Sequence, residues 1–129
     1  MNREIKFRGY NEFEKKWDYG YGLHQSIFID GSSNAYVTAG IREVFIVDKE
    51  SAGQYTSIKD YEGKEIYEGD IVETTRALNH IVGVVTMIKG CWYIQDGKDS
   101  YYRLIPRFGT AENKVIGNIY ENKNLLEEE

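Results

Sequence analysis

The stretch Gln54–Val72, QYTSIKDYEGKEIYEGDIV, constrains the fold most, because turn-forming residues in it separate segments typical of β-strands. Asp60 can accept a hydrogen bond from the backbone two residues on, and Gly63 can adopt a positive φ at no steric cost. Residues suited to a pleated surface precede and follow this turn, so we expect a β-hairpin. Gly69 permits a second bend, after which a new strand begins at Ile71.

The composition favours β structure throughout. The chain has 129 residues, 41% of them hydrophobic, which is enough for one domain or two small ones with a packed core. Eleven tyrosines against a single proline favour strands over helix or disorder. We therefore predict a mainly β fold, and an α+β arrangement stays open for the amino-terminal part because Tyr36–Ile41 fits either a strand or one helical turn.

We predict two subdomains with a boundary after Gly53. Residues 1–53 form a β-rich subdomain, in which Gly20 lies opposite aromatic neighbours and invites close approach by another backbone or by a partner. Residues 54–129 form an SH3-like small antiparallel barrel of about five short strands, one hairpin of which turns at Lys89-Gly90. The acidic tail from Glu121 onward is expected to fray.

The sequence gives little support for catalysis, cofactors or membranes. No stretch approaches the ~20 apolar residues of a membrane span, and the amino end lacks an apolar signal core, so we expect a cytoplasmic protein. Cys91, His24 and His80 are too few for a soft-metal site, and Cys91 is interpreted as a small buried thiol. No glycine-rich phosphate loop is present. We expect no enzyme activity, no cofactor and no metal.

Charged residues are unevenly distributed. Asp60–Glu73 contains six carboxylates against one lysine, whereas Arg76–Lys114 contains six cations against three anions. Such a separation can steer a charged partner, although a solvated face gives the same pattern. Glu68 and Asp70 stand two residues apart and could bind a divalent cation or share a proton, or they could be turn residues facing water.

One cluster of aromatic and basic residues on adjacent predicted strands has a plausible binding role. Small barrels stack single-stranded nucleic acid on aromatic side chains in a basic groove, and similar mixtures recognise proline-rich or acidic peptides. Alternate members of the cluster could instead face the core, and the overall acidity makes nucleic acid the weaker option. The cluster comprises Trp92, Tyr93, Tyr101, Tyr102, Arg103 and Arg107.

Four segments together resemble the YopX family of small proteins encoded by bacteriophages and prophages of Gram-positive bacteria. The sequence departs from the family pattern at Gly9-Tyr10, at Ser57 and at Lys123, which affects loop shape more than membership. The resemblance implies a phage-derived cytosolic protein with an amino-terminal α/β or β portion and a carboxy-terminal barrel. The family has no established activity, so the resemblance implies no catalytic residue. The segments are Arg3–Arg8, Gln54–Val72, Gly83–Val85 and Val115–Asn122.

The leading hypothesis is a non-enzymatic phage or prophage accessory protein that binds a host or phage protein through the aromatic and basic cluster. The alternative is single-stranded nucleic-acid binding on the same surface. A third hypothesis, a hydrolase, requires Glu68 and Asp70 to meet at a pocket. Self-association is also left open, because small sheets with aromatic faces often bury them between copies.

Overall fold

Antiparallel strands account for nearly all of the regular structure, which confirms the mainly β prediction. The computed structural model describes residues 4–40, 43–76, 79–98, 100–105 and 112–126. Within these ranges we find no α-helix. Of the segment left open between strand and helical turn, residues 36–38 lie in the strand Ser33–Thr38, and Ile41 lies outside the described residues. The strands are β1 Phe7–Asn11, β2 Lys16–Gly20, β3 Gly22–Ile27, β4 Ser33–Thr38, β5 Val44–Val47, β6 Gly53–Lys59, β7 Glu65–Tyr67, β8 Asp70–Arg76, β9 Asn79–Ile88, β10 Cys91–Gln95, β11 Tyr101–Arg103 and β12 Glu112–Asn118.

The chain divides into two compact units, the first ending at Tyr55 and the second beginning at Thr56. In the first unit β1 pairs with β2 and with the first residues of β6, and β3, β4 and β5 form a separate three-stranded sheet. Its small core consists of Ala35, Val37 and Val47, with Phe45 packed against them. A short 3₁₀ turn, Lys49–Ser51, connects β5 to β6.

Gly20 shows why the first unit needs glycine where β2 approaches the three-stranded sheet. A Cβ at this position would overlap the Thr38 carbonyl oxygen and would lie 2.8 Å from Val37 Cγ1. The predicted close approach of another backbone is therefore confirmed. Strand β5 is only partly buried, because two of its four residues, Val44 and Ile46, are exposed.

The hairpin predicted around Asp60 is confirmed in detail. Asp60 Oδ1 accepts hydrogen bonds from the backbone N–H groups of Glu62 at 2.9 Å and Lys64 at 2.8 Å. Gly63 has a φ of +88°, the left-handed conformation that glycine adopts without strain. Asp60 Oδ2 also accepts from the backbone N–H of Val115 in β12 at 3.1 Å, so one buried carboxylate fastens both a turn and a distant strand.

The second unit is built on a five-stranded antiparallel sheet in the order β11-β10-β9-β8-β12. Its core lies on one face of this sheet and takes a residue from almost every strand, because side chains alternate between the two faces. The SH3-like closure of this sheet stays a prediction. The buried core residues are Ile66, Val72, Ile81, Val85, Ile94, Leu104 and Val115.

The carboxy-terminal segment is more ordered than expected. Lys123–Leu126 forms a 3₁₀ turn, and a Cβ at Gly117 would lie 2.9 Å from Leu125 Cδ1. Asn122 Oδ1 accepts a hydrogen bond from the backbone N–H of Asn118 at 3.2 Å, which holds the turn beside the end of β12. The segment as far as Leu126 therefore lies in a turn beside β12, residues 127–129 lie outside the described ranges, and fraying of the tail stays a prediction.

The turn between β3 and β4 allows a direct test of local geometry. Asp30 Oδ1 accepts from the Ser32 hydroxyl at 2.6 Å and from the Ser32 backbone N–H at 2.9 Å, and these bonds hold the Asp30 pKa below its ordinary value. We expect Ser32→Ala to raise this pKa, as measured by NMR titration of the carboxyl carbon. A carboxyl group whose pKa is lower in the folded than in the unfolded state stabilises the folded protein above the unfolded pKa, and this stabilisation is lost as the pH falls through the folded pKa. The stability of the variant should therefore depend less on pH in this range. Ser33→Ala is the matched control, and equal titration curves for both variants would contradict the assignment.

Candidate binding face

The predicted aromatic and basic cluster is divided between the two faces of the five-stranded sheet. Tyr93 lies directly opposite Arg103, and Tyr101 lies opposite Gln95 on the same face. Trp92 and Tyr102 alternate to the other face, where Trp92 packs against the core. Arg107 lies outside the described residues. We call the face that carries Tyr93, Tyr101 and Arg103 the outer face.

Exposure differs sharply along the outer face. Tyr101 and Arg103 are exposed on the edge strand β11, while Tyr93 is half-buried in the neighbouring strand. Gln95 Nε2 donates to Tyr101 Oη at 3.5 Å, and Tyr101 Oη in turn donates to the Lys98 carbonyl at 3.1 Å. These bonds hold the Tyr101 ring at the edge of the sheet, on the same face as Arg103.

A cleft of about 590 Å³ opens on the same face, next to Gln95. Its floor is aliphatic, because Val82 and Val84 of β9 point outward between the buried Ile81 and Val85. The 3₁₀ turn at the carboxy-terminal end supplies a second aliphatic wall. The lining residues are His80, Val82, Val84, Gln95, Asp96, Gly97, Leu125 and Leu126.

The sequence contained a partial signal for this cleft. Ile81–Ile88 is apolar at both alternating sets of positions, which predicts a strand covered on both sides. One side is the core, and the other is the floor of the cleft, which Leu125 and Leu126 border. The contribution of the terminal leucines has no local signal, because it depends on a turn that brings them back to β9.

One end of the cleft is polar and ionisable. His80 Nε2 lies 2.7 Å from Glu73 Oε2, and both side chains are substantially exposed. These two groups, together with the aliphatic floor and the amide of Gln95, suit recognition of a side chain with an apolar body. Val84 of the floor is paired with Gln95 of β10, and Gln95 is paired with Tyr101 of β11, so the three residues are neighbours across the sheet.

The carboxylates considered for hydrolysis do not lie in this cleft. Asp70 is buried, and its Oδ2 accepts a hydrogen bond from the Tyr67 backbone N–H at 2.7 Å. Glu68 lies in the turn before β8, and neither residue lines the cleft. Cys91 is half-buried. Among the described residues, no group of three His, Cys, Asp or Glu side chains is placed to hold a metal ion.

The acidic segment Asp60–Glu73 is not a uniformly solvated face. Asp60 and Asp70 are buried and bonded to backbone N–H groups, whereas Glu62 is exposed. Within the described ranges, no helix has the length and apolar character needed to cross a bilayer.

The fold and the outer face define a mainly β protein of two units with a candidate binding surface on its second sheet. The chain belongs to the YopX family, whose model, described as YopX protein, matches residues 6–127. The chain is also similar to the crystal structure of protein EF1440 from Enterococcus faecalis, with 25% sequence identity over 95% of this chain and 97% of that chain and a TM-score of 0.47. No curated protein matches the chain.

Proposed function

We propose that this protein is a non-enzymatic, phage- or prophage-derived accessory protein that binds an extended segment of a host or phage protein in the bacterial cytoplasm. The observation that carries the proposal is an aliphatic cleft that opens on the same sheet face as Tyr101 and Arg103. An aliphatic floor offers burial to an apolar side chain, and an exposed guanidinium offers charge-assisted hydrogen bonds to a carboxylate.

The strand geometry indicates how far apart these two features are. Arg103 lies two strands away from Val84 and one side-chain repeat, two residues, further along the strand direction. With strands about 4.8 Å apart and a repeat of about 6.8 Å, the separation is about 12 Å. An extended peptide advances about 3.3 Å per residue, so side chains four residues apart on one side of it span this distance. The partner segment should therefore carry an aliphatic residue and an acidic residue in an i, i+4 relation.

Peptide arrays that cover host and phage proteins test this specificity. We expect the bound peptides to be enriched in the aliphatic and acidic pair, and Arg103→Glu to weaken binding by at least about ten-fold, the effect of one charge-assisted hydrogen bond. Val84→Thr preserves the shape of the floor but reduces its apolarity, and should weaken binding about three-fold. Fluorescence anisotropy with the selected peptides measures both changes.

Two controls make the result decisive. Lys59→Glu makes the same charge reversal at an exposed position on β6 and should leave peptide affinity unchanged. Equal affinity of wild type and Arg103→Glu, or bound peptides without the expected pair, would refute the proposal. Mobility shifts with single-stranded DNA that fall steeply with salt would instead favour the nucleic-acid alternative.

A further inference from the structure

Strand β3 leaves one edge of the three-stranded sheet open within the described residues. It is the outer strand of the order β3-β4-β5, and its register with β4 runs from Gly22↔Thr38 to Ile27↔Ser33 without a bulge. Natural edge strands are usually blunted by a lysine, a proline, a bulge or shortness. The sequence from Tyr19 to Ile29 contains no lysine, no proline and no other formally charged residue.

The backbone groups that face this open edge can be assigned from the ladder. Phe28 donates its N–H to the Ser32 carbonyl at 2.8 Å, which makes 28 and 32 a hydrogen-bonded pair. Since such pairs alternate in antiparallel sheets, the even-numbered residues of β3 bond to β4. The odd-numbered residues, Leu23, Gln25 and Ile27, therefore direct their N–H and C=O groups toward the open edge.

These three residues are complementary to a reversed copy of themselves. If a second β3 pairs antiparallel about a two-fold axis at Gln25, Leu23 of each copy lies opposite Ile27 of the other. The apolar side chains then meet apolar side chains, Gln25 meets its own symmetry mate, and about six main-chain hydrogen bonds form. No charged side chain of this strand is brought near its equivalent.

The exposed apolar side chains at this edge supply the area that an interface needs. Their exposed fractions run from 38% for Leu23 to full exposure for Ile29. With about 200 Å² for a fully exposed side chain of this size, the set offers at most about 670 Å² per copy and about 1,300 Å² for a pair. That total lies just above the lower bound of stable specific interfaces, about 1,200 Å². The set is Tyr21, Leu23, Ile27, Phe28 and Ile29.

We infer that the protein forms a symmetric homodimer through β3, in which two three-stranded sheets join into a continuous six-stranded sheet about a two-fold axis at Gln25. The occupant of the open edge is a second copy of the chain. This interface uses the first unit, and it does not depend on the outer face of the second unit.

Charge complementation at the axis tests both the dimer and its register. Gln25 is exposed, so Gln25→Lys and Gln25→Glu should both fold, as judged by circular dichroism. Each variant places two like charges opposite each other, and we expect its dimer dissociation constant in sedimentation equilibrium to rise at least ten-fold. An equimolar mixture should restore the dimer as a heterodimer with near wild-type affinity. Thr75→Lys, an exposed strand position in the second unit, should have no effect.

Three results would overturn the inference: a wild-type protein that is monomeric at high concentration, a dimer that both Gln25 variants leave intact, or a mixture that gives no heterodimer. Amide hydrogen exchange provides a second measurement on the unaltered protein. In the dimer the N–H groups of Leu23, Gln25 and Ile27 should be protected, and dilution into the monomer should release them. Unprotected amides at all three positions in a dimeric sample would place the interface elsewhere.

Discussion

Asp60→Ala should lower the free energy of unfolding by about 3 kcal/mol, because it leaves three backbone N–H groups without their acceptor. Two of these groups belong to the turn that closes the β6–β7 hairpin, and the third is the N–H of Val115 in β12. Urea denaturation measures the loss. Each unit contains one tryptophan, so a Trp17→Phe background lets Trp92 fluorescence report on the second unit alone.

Two further variants separate the turn from the distant strand. Glu62→Ala removes an exposed carboxylate from the same turn and should change the unfolding midpoint little. Asp60→Asn keeps one oxygen that can accept from the turn, but its NH2 group replaces the oxygen that accepts from the Val115 N–H, and two donors cannot bond to each other. We therefore expect a loss of unfolding free energy between those of the other two variants. If Asp60→Ala is no more destabilising than Glu62→Ala, the buried carboxylate does not hold the hairpin to β12.

The Asp60 interactions also show which features the sequence could predict. The bonds to Glu62 and Lys64 are local, and an aspartate followed by glycine three residues later predicts them through turn chemistry alone. The bond to Val115 joins residues 55 positions apart and has no local pattern. The hairpin at Lys89-Gly90 is likewise a local feature that turn chemistry predicts, and both of its turn residues have positive φ. Contacts between distant residues have no such local pattern.

The same distinction between local features, which the sequence predicts, and long-range features, which it does not, applies to the candidate site. Alternation along β10 and β11 predicts that neighbouring aromatics point to opposite faces, but it cannot say which face is buried. That choice depends on the core formed with Ile66 and Val115, far apart in sequence. The cleft depends further on Leu125 and Leu126, which the sequence placed in a frayed tail. Sequence patterns thus indicated the strands that carry the site, while long-range packing determined its shape.

Gly83→Ala should destabilise the second unit by about 3 kcal/mol, the upper range for overpacking a close contact. A Cβ at Gly83 would overlap the Gln95 carbonyl oxygen and lie 2.8 Å from Ile94 Cγ2, and the backbone atoms of β10 cannot move aside without breaking the ladder. Gly90→Ala, in the turn of the same hairpin, is the matched control: its φ is +84° and no atom lies within 4 Å of the added Cβ. We expect this control to cost only about 1 kcal/mol from backbone strain. Urea denaturation followed by Trp92 fluorescence compares the two, and equal losses would show that β9 and β10 do not need glycine for close approach.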